Sequence, residues 1–166
     1  MTPPDPTERY RHTQIGYTML ASLGCGVAII LALWPRVGPF LSAPHLLVAA
    51  LLLVVLVLFS TLTVVVRPRE VDIRFGPGVI RKRYALGDFV SVNVVRNRWY
   101  WGLGIRLIPK GWLYNVSGLD AVELVRKNGR VVRIGTDEPE ALAAALREAL
   151  TTLHRSSGAG GPEYDR

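Results

Sequence analysis

One cysteine in 166 residues rules out a disulfide within the chain. That cysteine, Cys25, lies between Gly24 and Gly26 in an apolar run, where it reads as a small residue in a helix contact. Histidine is also scarce. His12, His45 and His154 are far apart in sequence, and none has metal-ligand spacing to another. The acidic residues Asp72, Asp88, Asp120 and Glu123 are scattered among separate segments, with no metal-ligand and no triad spacing. Gly102-x-Gly104 opens like a dinucleotide fingerprint, but position 107 is leucine and no helix follows. An enzyme is therefore not expected, nor a catalytic residue, a metal or a cofactor.

Charged side chains make up only 20% of the chain, apolar ones 49%, and the mean hydropathy is +0.25. The apolar residues are pooled. Residues 15–34 (IGYTMLASLGCGVAIILALW) and 46–66 (LLVAALLLVVLVLFSTLTVVV) hold no charged side chain. As helices rising about 1.5 Å per residue, each would cover roughly 30 Å, the thickness of a hydrocarbon layer. A transmembrane helical hairpin over residues 15–66 is the expectation. The first run is longer than the apolar region of a cleaved signal peptide, and a second run follows at once. Lys and Arg are sparse between the runs (Arg36) and dense outside them (Arg9, Arg11, then Arg67, Arg69, Arg74, Arg81, Lys82 and Arg83). That asymmetry predicts a multi-pass protein of the cytoplasmic membrane with both termini in the cytoplasm. Ser22-x-x-x-Gly26 and Gly24-x-x-x-Ala28 would let helix backbones approach closely.

Residues 1–14 are polar and proline-rich and read as a loose cytoplasmic tail, and residues 156–166 (SSGAGGPEYDR) as a disordered one. Between the hairpin and the second tail, residues 67–155 are long enough for a small cytoplasmic domain. Residues 70–75 (EVDIRF) alternate apolar and charged, as a half-buried strand does. Further strands are predicted at 79–85, 89–95, 104–108, 112–116, 121–126 and 130–134, the last two flanking the hairpin signal Asn128-Gly129. The period then changes. Thr136 or Asp137 can cap a helix, Pro139 falls in its first turn, and Leu142, Leu146, Leu150 and Leu153 form one stripe. Strands followed by a single closing helix suggest a curved antiparallel sheet or partly open barrel with a C-terminal cap.

Several words of this region resemble the bacterial pleckstrin-homology-like domain found behind a transmembrane hairpin in small membrane proteins. They are Gly102-Leu-Gly104-Ile-Arg106, Gly111-Trp-Leu-Tyr114-Asn-Val-Ser-Gly118, Ala121-Val-Glu-Leu124, and Asn128-Gly129-Arg130 running into Ile134-Gly-Thr136-Asp-Glu-Pro139-Glu140. The resemblance spans about residues 70–153. It implies a seven-stranded, curved antiparallel sheet pair capped by a C-terminal α-helix, and it implies no activity, because that fold serves lipid, peptide and protein binding alike.

Two groups of side chains are candidates for a contact surface. Arg74, Arg81, Lys82 and Arg83 flank the first predicted hairpin, with Arg81 and Arg83 on one strand face. Basic residues on this hairpin grip inositol phosphates in some lipid-binding relatives of the fold, and generic anionic headgroups would suit them too. The alternative is a solvated strand face. The second group lies in WYWGLGIRLIPKGW: Trp99, Tyr100, Trp101 and Trp112, with Arg96, Arg98, Arg106 and Lys110 interleaved. These side chains could form an interfacial aromatic surface, a partner hot spot, or a core strand with alternate residues buried. On strict alternation Trp99 and Trp101 share one face and Tyr100 takes the other, so a regular strand cannot bury all three.

The expected partners are the lipid bilayer, anionic lipid headgroups, and a membrane protein or a second copy of the chain. Nucleic acid is not expected despite a net charge of +7, since the basic residues follow no nucleic-acid-binding motif. The function expected is non-catalytic binding or scaffolding at the inner membrane surface. The alternative is an accessory subunit of a membrane complex held through its helical hairpin.

Overall fold

The computed structural model describes residues 8–33, 36 and 39–158. Among these residues nine strands form two sheets. In the first, β1 (Tyr10–Ile15), β2 (Thr61–Val66), β3 (Glu70–Phe75) and β4 (Ile80–Ala85) are neighbours in that order, each antiparallel to the next. The second contains β5 (Phe89–Arg96), β6 (Gly104–Ile108), β7 (Gly111–Asn115), β8 (Asp120–Arg126) and β9 (Val131–Gly135). Its order is β5-β8-β9-β7-β6, and β7 runs parallel to β9. Helices α1 (Tyr17–Leu33) and α2 (Pro39–Leu58) pack on each other and are inserted between β1 and β2. Helix α3 (Pro139–Gly158) closes the sandwich against β5, β8 and β2.

Alternation builds the core. Leu62, Val64 and Val66 of β2 and Val71, Ile73 and Phe75 of β3 face inward from the first sheet, and Val92, Tyr114, Val122, Leu124, Val132 and Ile134 meet them from the second. Leu142, Leu146 and Leu150, spaced by four, lay the stripe of α3 over the open side. Arg147 fixes that helix by donating from Nε and Nη2 to the carbonyl of Val92, at 3.2 and 3.1 Å. Strand β1 holds its other end, where Tyr10 Oη donates to Glu138 at 3.3 Å and His12 Nε2 lies 2.7 Å from Asp137.

The structure corrects the expected membrane hairpin. The first apolar run gives Ile15 to β1, so α1 has 17 residues and reaches roughly 25 Å. The second run ends as a helix at Leu58, and residues 61–66 become β2. Thr61, Thr63 and Val64–Val66 are β-branched and suit a pleated surface, and β2 is a central strand flanked by β1 and β3. Val64, Val65 and Val66 are all buried, so the alternation that marks a strand is invisible in the sequence. Among the described residues, no helix is long and apolar enough to cross a membrane. The multi-pass assignment, and with it the cytoplasmic-membrane location and the orientation of the termini, loses its basis.

The seven-stranded architecture is corrected as well. The described residues form nine strands, one pair of them parallel, and the first comes from residues read as a loose tail. Of the second expected tail, residues 156–158 belong to α3. Residues 1–7 and 159–166 lie outside the described residues.

The parallel pair depends on two glycines. A methyl on Gly111 would lie 1.8 Å from the Val131 carbonyl oxygen, and one on Gly135 would lie 2.2 Å from Asn115 Oδ1. Backbone cannot yield as a flexible side chain does, so β7 and β9 sit side by side only with glycine at position 111. Gly111→Ala should destabilise the fold by about 2–3 kcal/mol, read as a lowered urea midpoint at unchanged slope. A midpoint equal to wild type would mean that β7 is free to move away from β9.

Candidate binding surface

The basic residues of β3 and β4 are not one surface. Asp72 is fully buried on the outward face of β3, and three guanidinium groups converge on it. Arg74 donates from Nε and Nη2 at 2.9 and 2.6 Å, Arg81 donates from Nε at 2.7 Å and again from Nη2, and Arg67 reaches it at 3.4 Å. Arg67 also holds Glu8 and Glu70, each at 3.1 Å. Burial raises the carboxyl's affinity for a proton. The donors and charges of Arg81 and Arg74 outweigh that effect and hold its pKa at about 2, against an ordinary 3.8. Arg74 and Arg81 are thus occupied inside the molecule. Lys82 and Arg83, exposed on β4 like Arg81 itself, take no part in that cluster.

The aromatic stretch is not a strand. Residues Trp99–Trp101 form one 3-10 turn, closed by Gly102 at φ +71°, a conformation favoured by glycine. The turn separates the rings. Trp99 is 80% exposed, and Tyr100 stands edge-on between Trp99 and Trp101, with centroids 6.0 and 6.4 Å away. Trp101 folds back over the outer face of the second sheet beside Ile108, Leu113, Val125 and Val131. There it stacks on Arg133, whose guanidinium carbon lies 4.8 Å from the ring centroid, and Arg133 Nε donates to Glu123 at 2.6 Å. Arg98 donates to the Tyr100 hydroxyl, and Arg106 Nε donates to the carbonyl of Leu103 at 2.9 Å. Of the stretch, then, Trp99 and Tyr100 are presented outward, with Arg98 and Arg106 beside them.

These residues share a pole of the molecule with the helix pair. A methyl on Gly104 would lie 3.9 Å from both Met19 and Phe59, placing the start of β6 at the foot of α1 and α2. A methyl on Gly76 would meet the carbonyl oxygens of Val57 and Leu58 at 2.4 and 2.7 Å, so the β3–β4 turn supports the end of α2. Thr18 Oγ1 lies 3.2 Å from Ser117 Oγ, and Gln14 Nε2 donates to the Ser117 carbonyl at 3.1 Å. Three loops therefore collar the helix pair. Above the collar the helices are bare: Leu47 is 72% and Leu51 61% exposed, and Ile29, Leu31, Leu53, Val54 and Val57 also face outward.

Trp112 lies elsewhere, and Lys110 lines both its cleft and a hollow on the outer face of the second sheet shared with Arg98, Tyr100 and Trp101. Strand β7 begins at Gly111 and runs toward Asn115 and the collar, so Lys110 and Trp112 mark its far end, in a cleft with Arg126, Arg130 and Tyr84. The expected contact set is thereby divided among an ion cluster, the aromatic turn beside the helix-pair pole, and a cleft, with Lys110 lining hollows at both of the last two. Sequence reasoning overlooked Arg67, Tyr84, Arg126, Arg130 and Arg133. Asp72 was readable only as one acid among several, although a lone acid within a basic hairpin is itself a signal for an ion-pair hub.

The ionised Asp72 stabilises the fold, and the sign of the effect follows from its depressed pKa. The contribution is complete above about pH 4 and is lost as pH falls through about 2. The depression corresponds to about 2 kcal/mol. Asp72→Asn should cost about 2–3 kcal/mol at pH 7, because three arginines lose their shared partner, and the cost should shrink below pH 4. Urea titrations of both proteins between pH 2 and 7 test this; a difference independent of pH would show that Asp72 is not an ionised hub.

Compared with models of protein families, with curated proteins and with solved structures, the chain matches none. The resemblance to pleckstrin-homology-like membrane proteins thus finds no support in any comparison, and the strand count and helix lengths depart from it.

Proposed function

We propose that the protein is a non-catalytic binding module that contacts a lipid surface through the pole formed by α1, α2 and their collar. The observation behind this reading is the bare helix pair. Helices apolar on all sides are stable only in apolar surroundings, and none of the described residues covers Leu47, Leu51 or Val54. No span is required, because an apolar projection entering the acyl boundary would suffice. The collar suits such a boundary: Trp99, Tyr100 and Tyr17 are exposed amphipathic rings, and Arg98 and Arg106 offer cations to anionic headgroups. Each cation near an anionic surface contributes about 1 kcal/mol.

A second reading, a subunit that docks through the same helices, is favoured by Gly24. A methyl on Gly26 would touch Leu52 Cδ1 at 3.6 Å, so Gly26 serves the α1–α2 contact, whereas one on Gly24 would meet nothing within 4 Å. That face of α1 is open to another helix.

Flotation of the full chain with vesicles separates the two. The lipid reading expects the chain to float with phosphatidylglycerol vesicles and less with phosphatidylcholine alone. Leu47→Glu with Leu51→Glu should abolish flotation, and Arg98→Glu with Arg106→Glu should weaken it at least tenfold on anionic vesicles only. A chain that ignores every vesicle yet sediments as a defined larger complex, dissociated by Gly24→Leu, would replace the lipid reading with the subunit one.

A further inference from the structure

At the far end of β7, the face of the second sheet that forms the core extends beyond the first sheet and lies bare. Leu107 and Trp112, cross-strand partners, continue the row of Val132 and Leu124, yet Leu107 is 75% and Trp112 46% exposed. Tyr84 on the β4 edge forms the opposite wall, and the cleft between them has a volume of about 960 Å³. That is room for a small organic molecule.

Its charge is one-sided. Lys110, Arg126 and Arg130 line it, and among the described residues no Asp or Glu does. Several arginines elsewhere are neutralised by acids: Arg67, Arg74 and Arg81 by Asp72, Arg133 by Glu123, Arg9 by Glu148. Among the described residues Arg126 has no such partner. Asp88 shares an adjoining hollow with it but makes no ion pair among the described residues. Instead the Arg126 guanidinium lies over the rings of Tyr84 and Phe89, 4.8 and 5.5 Å from their centroids. Its Nε is buried with no acceptor. Stacking thus fixes a planar, multi-donor cation whose hydrogen bonds are unfilled, at the mouth of an apolar cleft. The hydroxyl of Tyr84 pairs with that of Tyr114, and only one proton can lie between the two oxygens; when Tyr114 donates, the Tyr84 proton is free to point into the cleft.

We propose that this cleft is a binding site for an amphipathic oxyanion: a phosphate or carboxylate held by Arg126 and Arg130, with its apolar ring or chain lying on Trp112 and Leu107. The site is independent of the lipid-contact reading, because the cleft and the helix pair stand at opposite ends of β7. The arginine fork matches two oxygens of the anion, and Lys110 adds a third cation at the rim. The bare tryptophan supplies the stacking face that a purely ionic site would not need.

Binding of 2-naphthyl phosphate to the full chain, followed by fluorescence anisotropy, tests the site, with 2-naphthol and inorganic phosphate as the ring and the charge alone. Tighter binding of 2-naphthyl phosphate than of either fragment is expected. Arg126→Gln should weaken it at least tenfold with little effect on 2-naphthol, and Trp112→Ala should weaken both aromatic probes. Arg130→Gln, in an exposed turn where folding is not at stake, should weaken the phosphate probe severalfold, and Arg69→Gln should leave it unchanged. Displacement of the probe by phosphatidylglycerol vesicles would assign the natural ligand to a lipid headgroup; displacement by soluble alkyl phosphates or carboxylates alone would assign it to a free anion. Equal affinity for 2-naphthyl phosphate and 2-naphthol, affinity unmoved by both arginine variants, or displacement by neither competitor would overturn the proposal.

Discussion

The pairing of β1 with β2 governs the rest of the molecule. These strands are joined in full register, from Tyr10 with Val66 to Ile15 with Thr61, although the whole helix pair lies between them in the chain. Closing so long a connection costs loop entropy that grows only slowly with length, and two helices packed on each other shorten the effective gap. Once closed, the pairing makes β2 a central strand and sets both feet of the helix pair at one place. There Gly16 donates to the Ser60 carbonyl at 2.8 Å, joining the start of one helix to the end of the other. β1 also brings Tyr10 and His12 to the start of α3, so one strand connects the helix pair, the first sheet and the closing helix.

The same pairing explains which parts of the fold could be read from the sequence. Local signals held where the chain decides locally. Asn128-Gly129 joins β8 to β9, with Gly129 at φ +76°, and the leucine stripe after Pro139 packs as the spacing of four requires. The aromatic turn was obscure for a local reason: Gly102 allows Trp99–Trp101 to coil, a choice that alternation cannot reveal. The helix-to-strand change after Leu58 was obscure for a tertiary one. Residues 61–66 are as apolar as the helix before them because a strand buried on both faces needs apolar side chains everywhere. Hydropathy reports burial and is silent on backbone conformation. Likewise, β1 is written in polar letters, YRHTQI, and becomes a strand because β2 offers it an edge.

Charge shows a similar divide between spacing and placement. Arg74 and Arg81 face each other across β3 and β4, and like charges directly opposed would repel. Asp72, two residues from Arg74 on the same face, resolves this by drawing both guanidinium groups onto one carboxylate. A basic hairpin that looks like a ligand surface in the sequence is, in three dimensions, an internally neutralised network, and its arginines are positioned by what they already hold. The cations left for an outside partner are those that folding failed to match with an acid, and sequence spacing cannot identify them.

Two surfaces join such cations to bare apolar area, and they differ in kind. At the helix-pair pole the bare area is broad and convex, with cations only at the collar, which suits an extended apolar boundary. At the cleft the bare area is small and concave, and Arg126 is fixed by stacking before any ligand arrives, so little side-chain entropy remains to be lost on binding. β7 joins the two: it begins in the cleft at Gly111 and ends at Asn115, which organises the loop under the helices through Gly118 and Ser117. Its parallel contact with β9, allowed by a glycine at each end, holds the cleft and the helix-pair pole apart on one rigid sheet.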